Sequence, residues 1–457
     1  MVRPSRRALR RVTTVVGVVA LAGTLAGVAV AGDRVRDRSR DVRAAIDAGT
    51  ARNVILLIGD GMGDSEITLA RNYAYGAAGR MALDTLPLTG AMTTYSVQET
   101  NPTLPDYTPE SASTATAWST GSKTADGRIS TAAGTDADLT TVLDDAERAG
   151  LRSGIVTTSE VTDATPAAPM SHVTSRTCQG PADMAACPTD AKPAGGPGSI
   201  AEQSIDHGVD VILGGGRARY EQTVTAGPAS GRTVAQQAQD AGYRYATTPA
   251  DLAALRPGQP ALGLFASGNL ATRWTGAVAA NPPSGPQRCT EANPAAANEP
   301  RLADMTTRAL DLLTARPERG RTPGFFLQVE SASIDKRDHV SQPCEQIGET
   351  VNFDEAVRVA LDFAARDRNT LVIVTGDHAH TSQIVELDST PAGFSSILTT
   401  DEGVDMKVTY GTGSTPTGQG HTGSQIRVAA SGPQAANVVG LIDQTEIAAI
   451  LRRALRL

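Results

Sequence analysis

The chain has 457 residues and a formal net charge of −8, and 40% of its residues are hydrophobic. That length buries a sizeable core, and the balanced composition excludes disordered and fibrous classes. Basic residues are in surplus only at the extreme N-terminus, which argues against nucleic acid as the partner.

Residues 1–31 have the layout of an export signal. Arg3, Arg6, Arg7, Arg10 and Arg11 form a basic start, an apolar run spans 12–31, and Ala29-Val30-Ala31 offers a small-residue cleavage site. The run is also long enough to span a bilayer, so a retained membrane anchor is the rival reading. Either way the chain is expected to be exported, as a secreted, periplasmic or cell-surface protein. Residues 32–50 are charged and read as a poorly ordered lead-in to one catalytic domain over 51–457.

Short apolar runs then recur, each ending in glycine or acid. They cover 54–58 before Gly59-Asp60-Gly61, 154–158 before Glu160 and Asp163, and 211–213 before Gly214-Gly215-Gly216. Two more cover 325–329 before Glu330 and 371–375 before Gly376-Asp377-His378. Such runs predict fully buried strands of a large, mainly parallel sheet. Helix-compatible segments at 138–149, 301–315, 349–366 and 444–455 alternate with them, which predicts an α/β fold with helices on both faces. The stretch 276–300 is rich in Pro, Ala, Asn and Gly and predicts a long loop that contains Cys289. The cysteines, Cys178, Cys187, Cys289 and Cys344, form no C-x-x-C pair. Four in an exported chain point to two disulfides, with three connectivities open.

Acids cluster just after the strands: Asp60, Asp163, Glu330, Asp335, Asp338 and Asp377. That edge of an open α/β sheet is where ligands bind. His339, His378, His380 and His421 lie in the final third of the chain. Asp335-x-x-x-His339, Asp377-His378-x-His380 and Gly420-His421-Thr422 mix carboxylate with imidazole, which suits zinc; acids with a hydroxyl suit magnesium. Each piece alone has a plainer reading. Asp60 can cap the next helix, Thr165 before Pro166 can be turn chemistry, and Lys336 and Arg337 can be solvated charges. His172 and His207 have no acidic cluster beside them in the sequence and read as structural. The convergence of several pieces on one sheet edge carries the weight.

Ser111 opens the small-residue run Ser111-Ala112-Ser113-Thr114-Ala115-Thr116-Ala117, which predicts a helix starting at that serine. The plain role there is an N-cap. The functional role is a nucleophile at the positive end of a helix. The sequence contains no Ser/His/Asp triad pattern or G-x-S-x-G elbow, so activation of this serine falls to a metal.

The ordered motif set resembles the alkaline phosphatases, from about residue 53 to the C-terminus. Its pieces are Asp60-Gly61-Met62-Gly63, Ser111-Ala112 ahead of Ala115-Thr116-Ala117-Trp118-Ser119-Thr120-Gly121, and Asp163-Ala164-Thr165-Pro166-Ala167-Ala168. They continue with His172-Val173-Thr174-Ser175-Arg176, Val329-Glu330, Ile334-Asp335-Lys336 with Asp338-His339, Asp377-His378-Ala379-His380 and His421-Thr422-Gly423-Ser424. The resemblance implies hydrolysis of phosphate monoesters, with broad specificity, through a phosphoseryl intermediate on Ser111. It implies two zinc ions and one magnesium ion. Asp335, His339 and His421 would hold one zinc. Asp60, Asp377 and His378 would hold the other, beside Ser111. Asp60, Thr165 and Glu330 would hold the magnesium, with Asp163 reaching it through water. Arg176 would clamp phosphate oxygens, Lys336 would reach them through water, and His380 would steady a ligand. A homodimer is implied as well. The expected disulfides are Cys178–Cys187, closing a short loop beside Arg176, and Cys289–Cys344, anchoring the Pro-rich loop. The rival enzymes are phosphodiesterases and sulfatases of the same superfamily; a non-catalytic metal- or phosphate-binding scaffold is the rival from another class. One departure stands out: Glu110 precedes Ser111 where the family usually has Asp. The extra methylene leads us to expect a looser hold on Arg176, and a Glu110→Asp change that tightens phosphate binding.

Overall fold

The computed structural model describes residues 37–314 and 324–457. The export-signal reading of residues 1–31 lies outside them. The fold below is that of the unit 40–457. Residues Ser39–Ala45 form a helix, so part of the expected lead-in is ordered. Among the described residues, no helix is long and apolar enough to cross a membrane.

Ten strands make the main sheet. In chain order they are β1 (Asn53–Gly59), β2 (Leu88–Thr93), β3 (Arg152–Glu160), β4 (Val211–Gly215) and β5 (Arg244–Ala246). They continue with β6 (Ala261–Leu264), β7 (Phe325–Ser331), β8 (Thr370–Gly376), β9 (Ile426–Ser431) and β10 (Gly440–Asp443). Their spatial order is β10-β2-β9-β8-β1-β7-β3-β4-β6-β5. Every pairing from β8 across to β5 is parallel. Strand β9 runs antiparallel to both β8 and β2, and β10 pairs with β2 in parallel. The expected mainly parallel sheet is therefore present, extended by a mixed edge.

The apolar run of β1 shows why the sheet is covered twice. Val54, Leu56 and Ile58 join one core and Ile55 and Leu57 the other, as period-2 alternation requires. Helices α1 (Ser111–Thr120) and α2 (Glu446–Leu455) supply Ala112, Ala115, Trp118, Ala448 and Leu451 to the first core. Helices over Leu302–Thr314 and Pro343–Arg366 supply Leu302, Met305, Ala309, Ile347 and Phe353 to the second. The last of these starts six residues before the expected 349, because Pro343 opens it at a position where its missing N–H costs nothing.

The stretch 276–300 is irregular apart from one short turn at Pro294–Ala296. Paired residues Thr275 and Thr290 and the Cys289–Cys344 disulfide hold it down. The other disulfide joins Cys178 to Cys187. A small antiparallel sheet over Ser382–Val385, Phe394–Thr399 and Asp405–Tyr410 was not anticipated.

Candidate active site

Ser111 is the first residue of α1, but it is not the cap. The residue before it, Glu110, takes that role: its Oε1 accepts the Ser113 N–H at 3.1 Å. The plainer reading of Ser111 as an N-cap therefore fails, and its hydroxyl is left for other work. Ser111 Oγ lies 3.4 Å from each carboxylate oxygen of Asp60 and 3.5 Å from His378 Nε2.

The turns after β1, β7 and β8 bring the remaining acids to this point. Gly61 makes the close approach possible: it has φ +68°, and a Cβ there would sit 2.9 Å from both Cα and Cβ of Asp335. Its N–H donates to Asp377 Oδ1 at 2.8 Å, and the Asp335 N–H donates to the Asp60 carbonyl at 3.0 Å. Three chain segments are thereby locked edge to edge.

Asp335 Oδ1 lies 3.3 Å from His339 Nε2, 3.2 Å from His421 Nε2 and 3.1 Å from His380 Nε2. His339 Nε2 and His421 Nε2 are 3.1 Å apart. A tetrahedral ion with ligands at about 2.0–2.1 Å has ligand-to-ligand edges of about 3.3 Å, so these atoms fit zinc. The ring partners separate ligands from supports. His339 Nδ1 faces the Gln419 carbonyl at 2.5 Å, and His421 Nδ1 faces the Pro109 carbonyl at 2.9 Å. A carbonyl only accepts, so each Nδ1 carries a proton and each Nε2 is the nitrogen turned to Asp335; against the cost of burial, Asp335 raises both rings above the ordinary imidazole value, His421 to about 9, and a metal would take the place of the Nε2 proton. His380 is the reverse: its Nδ1 accepts the Thr381 N–H at 2.9 Å, which puts the proton on Nε2, facing Asp335. Although His380 sits in the same cluster, this tautomer suits a support for Asp335 better than a ligand.

A second group comprises Asp60, Asp335 and His378, with Asp377 Oδ2 at 3.2 Å from His378 Nε2. Burial raises Asp60 well above the usual carboxylate range, and repulsion from Asp377, Asp335 and Glu330 raises it further. Burial pushes Asp377 up to about 6. Burial, then the neighbouring His421, holds His378 well below the ordinary imidazole value, which leaves it neutral. Crowded buried carboxylates beside neutral imidazoles are what a cation site requires.

Glu330, at the end of β7, accepts hydrogen bonds from Thr157 Oγ1 and, at 3.2 Å, Ser159 Oγ. Burial raises it to about 7. Thr165 is buried beside it. This all-oxygen set fits magnesium. Asp338, the remaining candidate acid, is fully buried and is raised well above its usual range by burial, then by Glu66 and Asp335.

Beside this cluster, Arg176 pairs with Glu110 through one guanidinium nitrogen and with Asp163 at 2.6 Å through another. Lys336 Nζ meets the other oxygen of Asp163 at 2.7 Å, so it is not the solvated charge of the plainer reading. Against the cost of burial, Lys336 and Arg176 hold Asp163 well below the usual carboxylate range. The expected slack at Glu110 is absent. Its Oε1 accepts from Ser113 N and, at 2.6 Å, from Gly127 N, while Oε2 meets Arg176.

Sequence reasoning missed several supports. Gln328, buried mid-strand in β7, accepts from the Trp118 indole N–H at 3.1 Å and donates to the Thr165 carbonyl at 2.7 Å. A glutamine inside an otherwise apolar strand was the available signal. His207 does have acids: Asp144 at 3.0 Å and Glu147 at 2.8 Å, both from a distant helix over Val142–Arg148.

The alkaline phosphatase family model matches residues 51–418 and 411–457. The streptomycin-6-phosphate phosphatase of Streptomyces griseus is 53% identical over 410 residues, covering 89% of this chain and 91% of that protein. The alkaline phosphatase of Escherichia coli (strain K12) is 48% identical over 432 residues, covering 92% and 89%. The alkaline phosphatase of the Antarctic bacterium TAB5 shares the fold at 23% identity, with a TM-score of 0.67 over 89% of this chain and 99% of that one. With its sheet, its site and its relatives in agreement, this chain belongs to the alkaline phosphatase family, metal-dependent hydrolases of phosphate monoesters.

Proposed function

We propose that the chain hydrolyses phosphate monoesters through a phosphoseryl intermediate on Ser111, with two zinc ions and one magnesium ion. The observation that carries this reading is the freed Ser111 hydroxyl, at a helix N-terminus within 3.5 Å of Asp60 and His378 and one residue after the Glu110 that meets Arg176. Asp335, His339 and His421 would hold one zinc, and Asp60, Asp377 and His378 the other. Asp60, Thr165 and Glu330 would hold the magnesium, with Asp163 beside it. When bound, these ions supply Lewis acidity at the attacking and leaving oxygens and offset the charge of the buried acids.

The residues of the chain do the rest. Ser111 Oγ gives up its proton to solvent and attacks phosphorus in line; the Oγ–P bond forms, the P–O bond to the alcohol breaks, and the departing oxygen takes a proton from solvent. A water then attacks the same phosphorus from the opposite side. The Oγ–P bond breaks, Ser111 regains its proton, and inorganic phosphate leaves. Arg176, fixed by two carboxylates, offers its remaining N–H donors to the equatorial oxygens. Lys336 adds positive charge from behind Asp163. Recognition through the phosphoryl group leaves the alcohol loosely specified, so we propose broad specificity, exceeding the one substrate in the name of the Streptomyces griseus relative. Export after loss of residues 1–31 and assembly as a homodimer belong to the same reading.

The test is turnover of p-nitrophenyl phosphate with acid quench and peptide mass spectrometry. Phosphate should be trapped on Ser111, and Ser111→Ala should abolish the label. A label on another residue, or undiminished turnover by the Ser111→Ala protein, would overturn the reading.

A further inference from the structure

Arg176 is held from two directions, and both lead to one residue outside the motifs. The Gly127 N–H donates to Glu110 Oε1 at 2.6 Å, and the other oxygen of Glu110 meets the Arg176 guanidinium. The Gly127 carbonyl accepts the Arg176 main-chain N–H at 2.7 Å. Two residues on, Ile129 and Val173 exchange a reciprocal pair of main-chain hydrogen bonds, each 3.1 Å. The arginine segment is thus hung on residues 127–129. Meanwhile Asp126, next to Gly127, accepts from Ser113 Oγ at 2.7 Å and from Glu110 N at 3.4 Å, both at the start of the nucleophile helix.

Gly127 can do this only in one conformation. Its φ is +85°, in the left-handed region that β-branched residues avoid. Rotation about that residue into an ordinary conformation would turn its N–H away from Glu110, its carbonyl away from Arg176, or both. Space is not the constraint, because a Cβ at Gly127 would meet nothing within 4 Å.

We propose that Gly127 is a positioning residue that fixes Arg176 relative to Ser111. Its peptide groups tie the side chain of the nucleophile's neighbour and the main chain of the arginine to one turn, so the two move together. The longer Glu110 is accommodated because its Oε1 reaches the Gly127 N–H while Oε2 stays on Arg176. This rests on the reading of Arg176 as the phosphate clamp.

The experiment compares inhibition by inorganic phosphate, KM, kcat and metal content for wild type, Gly127→Asn, Gly127→Ala and Gly127→Val, each alone and with Arg176→Ala. Asn tolerates the left-handed region, so Gly127→Asn should stay within about twofold of wild type. Gly127→Val should raise the inhibition constant for phosphate about tenfold, with Gly127→Ala between them in case the valine protein does not fold. Metal content should not change, because no metal-site residue touches this turn. In the Arg176→Ala background the Gly127 changes should have no further effect on phosphate inhibition. Equal inhibition constants across the Gly127 series, equal losses for Asn and Val, or full additivity with Arg176→Ala would each overturn the inference. An unchanged constant for Arg176→Ala alone would instead remove the clamp reading beneath it.

Discussion

The two walls of the site handle charge in opposite ways. Asp60, Glu330 and Asp377 are buried, and burial, with repulsion from neighbouring acids, raises all three above their usual range. Burial holds His378 neutral there, Asp335 raises His339 and His421, and Lys336 offsets Asp60 and Glu330 only in part. The other wall is compensated within the protein: Arg176 lies between Glu110 and Asp163, and Lys336 completes Asp163. One wall is unfinished until cations arrive; the other is finished on folding. The first therefore supplies reactivity and the second supplies geometry, and changes to each should fail differently.

Removing metal should have the largest effect. Activity should fall by more than about a thousandfold with chelator and return with zinc plus magnesium. Ions bound at a thousand times their dissociation constant stabilise by about 4 kcal/mol, so the melting temperature should drop as well. The pH dependence sharpens the contrast. A carboxyl raised in the folded state contributes stability at low pH and loses it as pH rises through the folded value. With Glu330 raised to about 7 and Asp377 to about 6, the metal-free protein should lose stability between about pH 4 and 7. Calorimetry that finds the metal-free protein equally stable across that window would show that the acid wall carries no such frustration.

Next in size is a break in the finished wall. Asp163→Asn keeps the shape and removes the charge, leaving Lys336 without its paired anion and Arg176 with Glu110 alone. Breaking a buried pair from one side costs about 3–5 kcal/mol. Because Arg176 is 28% exposed and Lys336 22%, we expect the lower part of that range, read as a loss of melting temperature in the metal-loaded enzyme. An unchanged melting temperature would mean that the wall is not held by its own charges.

A third effect lies away from both walls. His207, clasped by Asp144 and Glu147, is raised to about 10 although burial opposes it. The sign follows from that rise: the stabilisation is complete below the unfolded value of about 6.5 and is lost as pH climbs through 10. The contribution is on the order of 1–3 kcal/mol after allowance for partial exposure. His207→Gln should therefore lower the melting temperature at pH 7 and flatten its decline toward pH 10. A parallel decline in both proteins would exclude this clasp as the cause.

Much of this was legible in the sequence, and the parts that were not share a cause. The five apolar runs became β1, β3, β4, β7 and β8, because strands buried on both faces must be continuously apolar. The mixed edge was not anticipated: β2 reads Leu-Thr-Gly-Ala-Met-Thr and β9 reads Ile-Arg-Val-Ala-Ala-Ser, too polar to register as core strands. Candidate ligands were found from residue type and position after a strand. Their supports were not, because Gln328, the Pro109 and Gln419 carbonyls and Gly127 act through partners distant in sequence or through main-chain atoms. Local pattern encodes no such pairing, and the clasp around His207 was missed for the same reason.

The smallest expected effect is the one the structure reverses. From its length alone, Glu110 was expected to hold Arg176 loosely, and Glu110→Asp to tighten phosphate binding. Instead Glu110 is fully engaged: Oε1 accepts from Ser113 N and Gly127 N, and Oε2 meets Arg176. An aspartate is shorter by one methylene, about 1.5 Å. It can still cap Ser113, as Asp does at many helix starts, but from the same backbone it cannot keep all three contacts. The contact given up should be the one farthest from the helix, at Arg176 or at Gly127, and Arg176 would then rest mainly on Asp163. Glu110→Asp should weaken inhibition by inorganic phosphate by about threefold, roughly 0.6 kcal/mol, with metal content unchanged. Where product release limits turnover, kcat should rise slightly. Tighter phosphate inhibition in the Glu110→Asp enzyme would show that the longer side chain does leave Arg176 slack, and that the contacts around Glu110 do not set its grip.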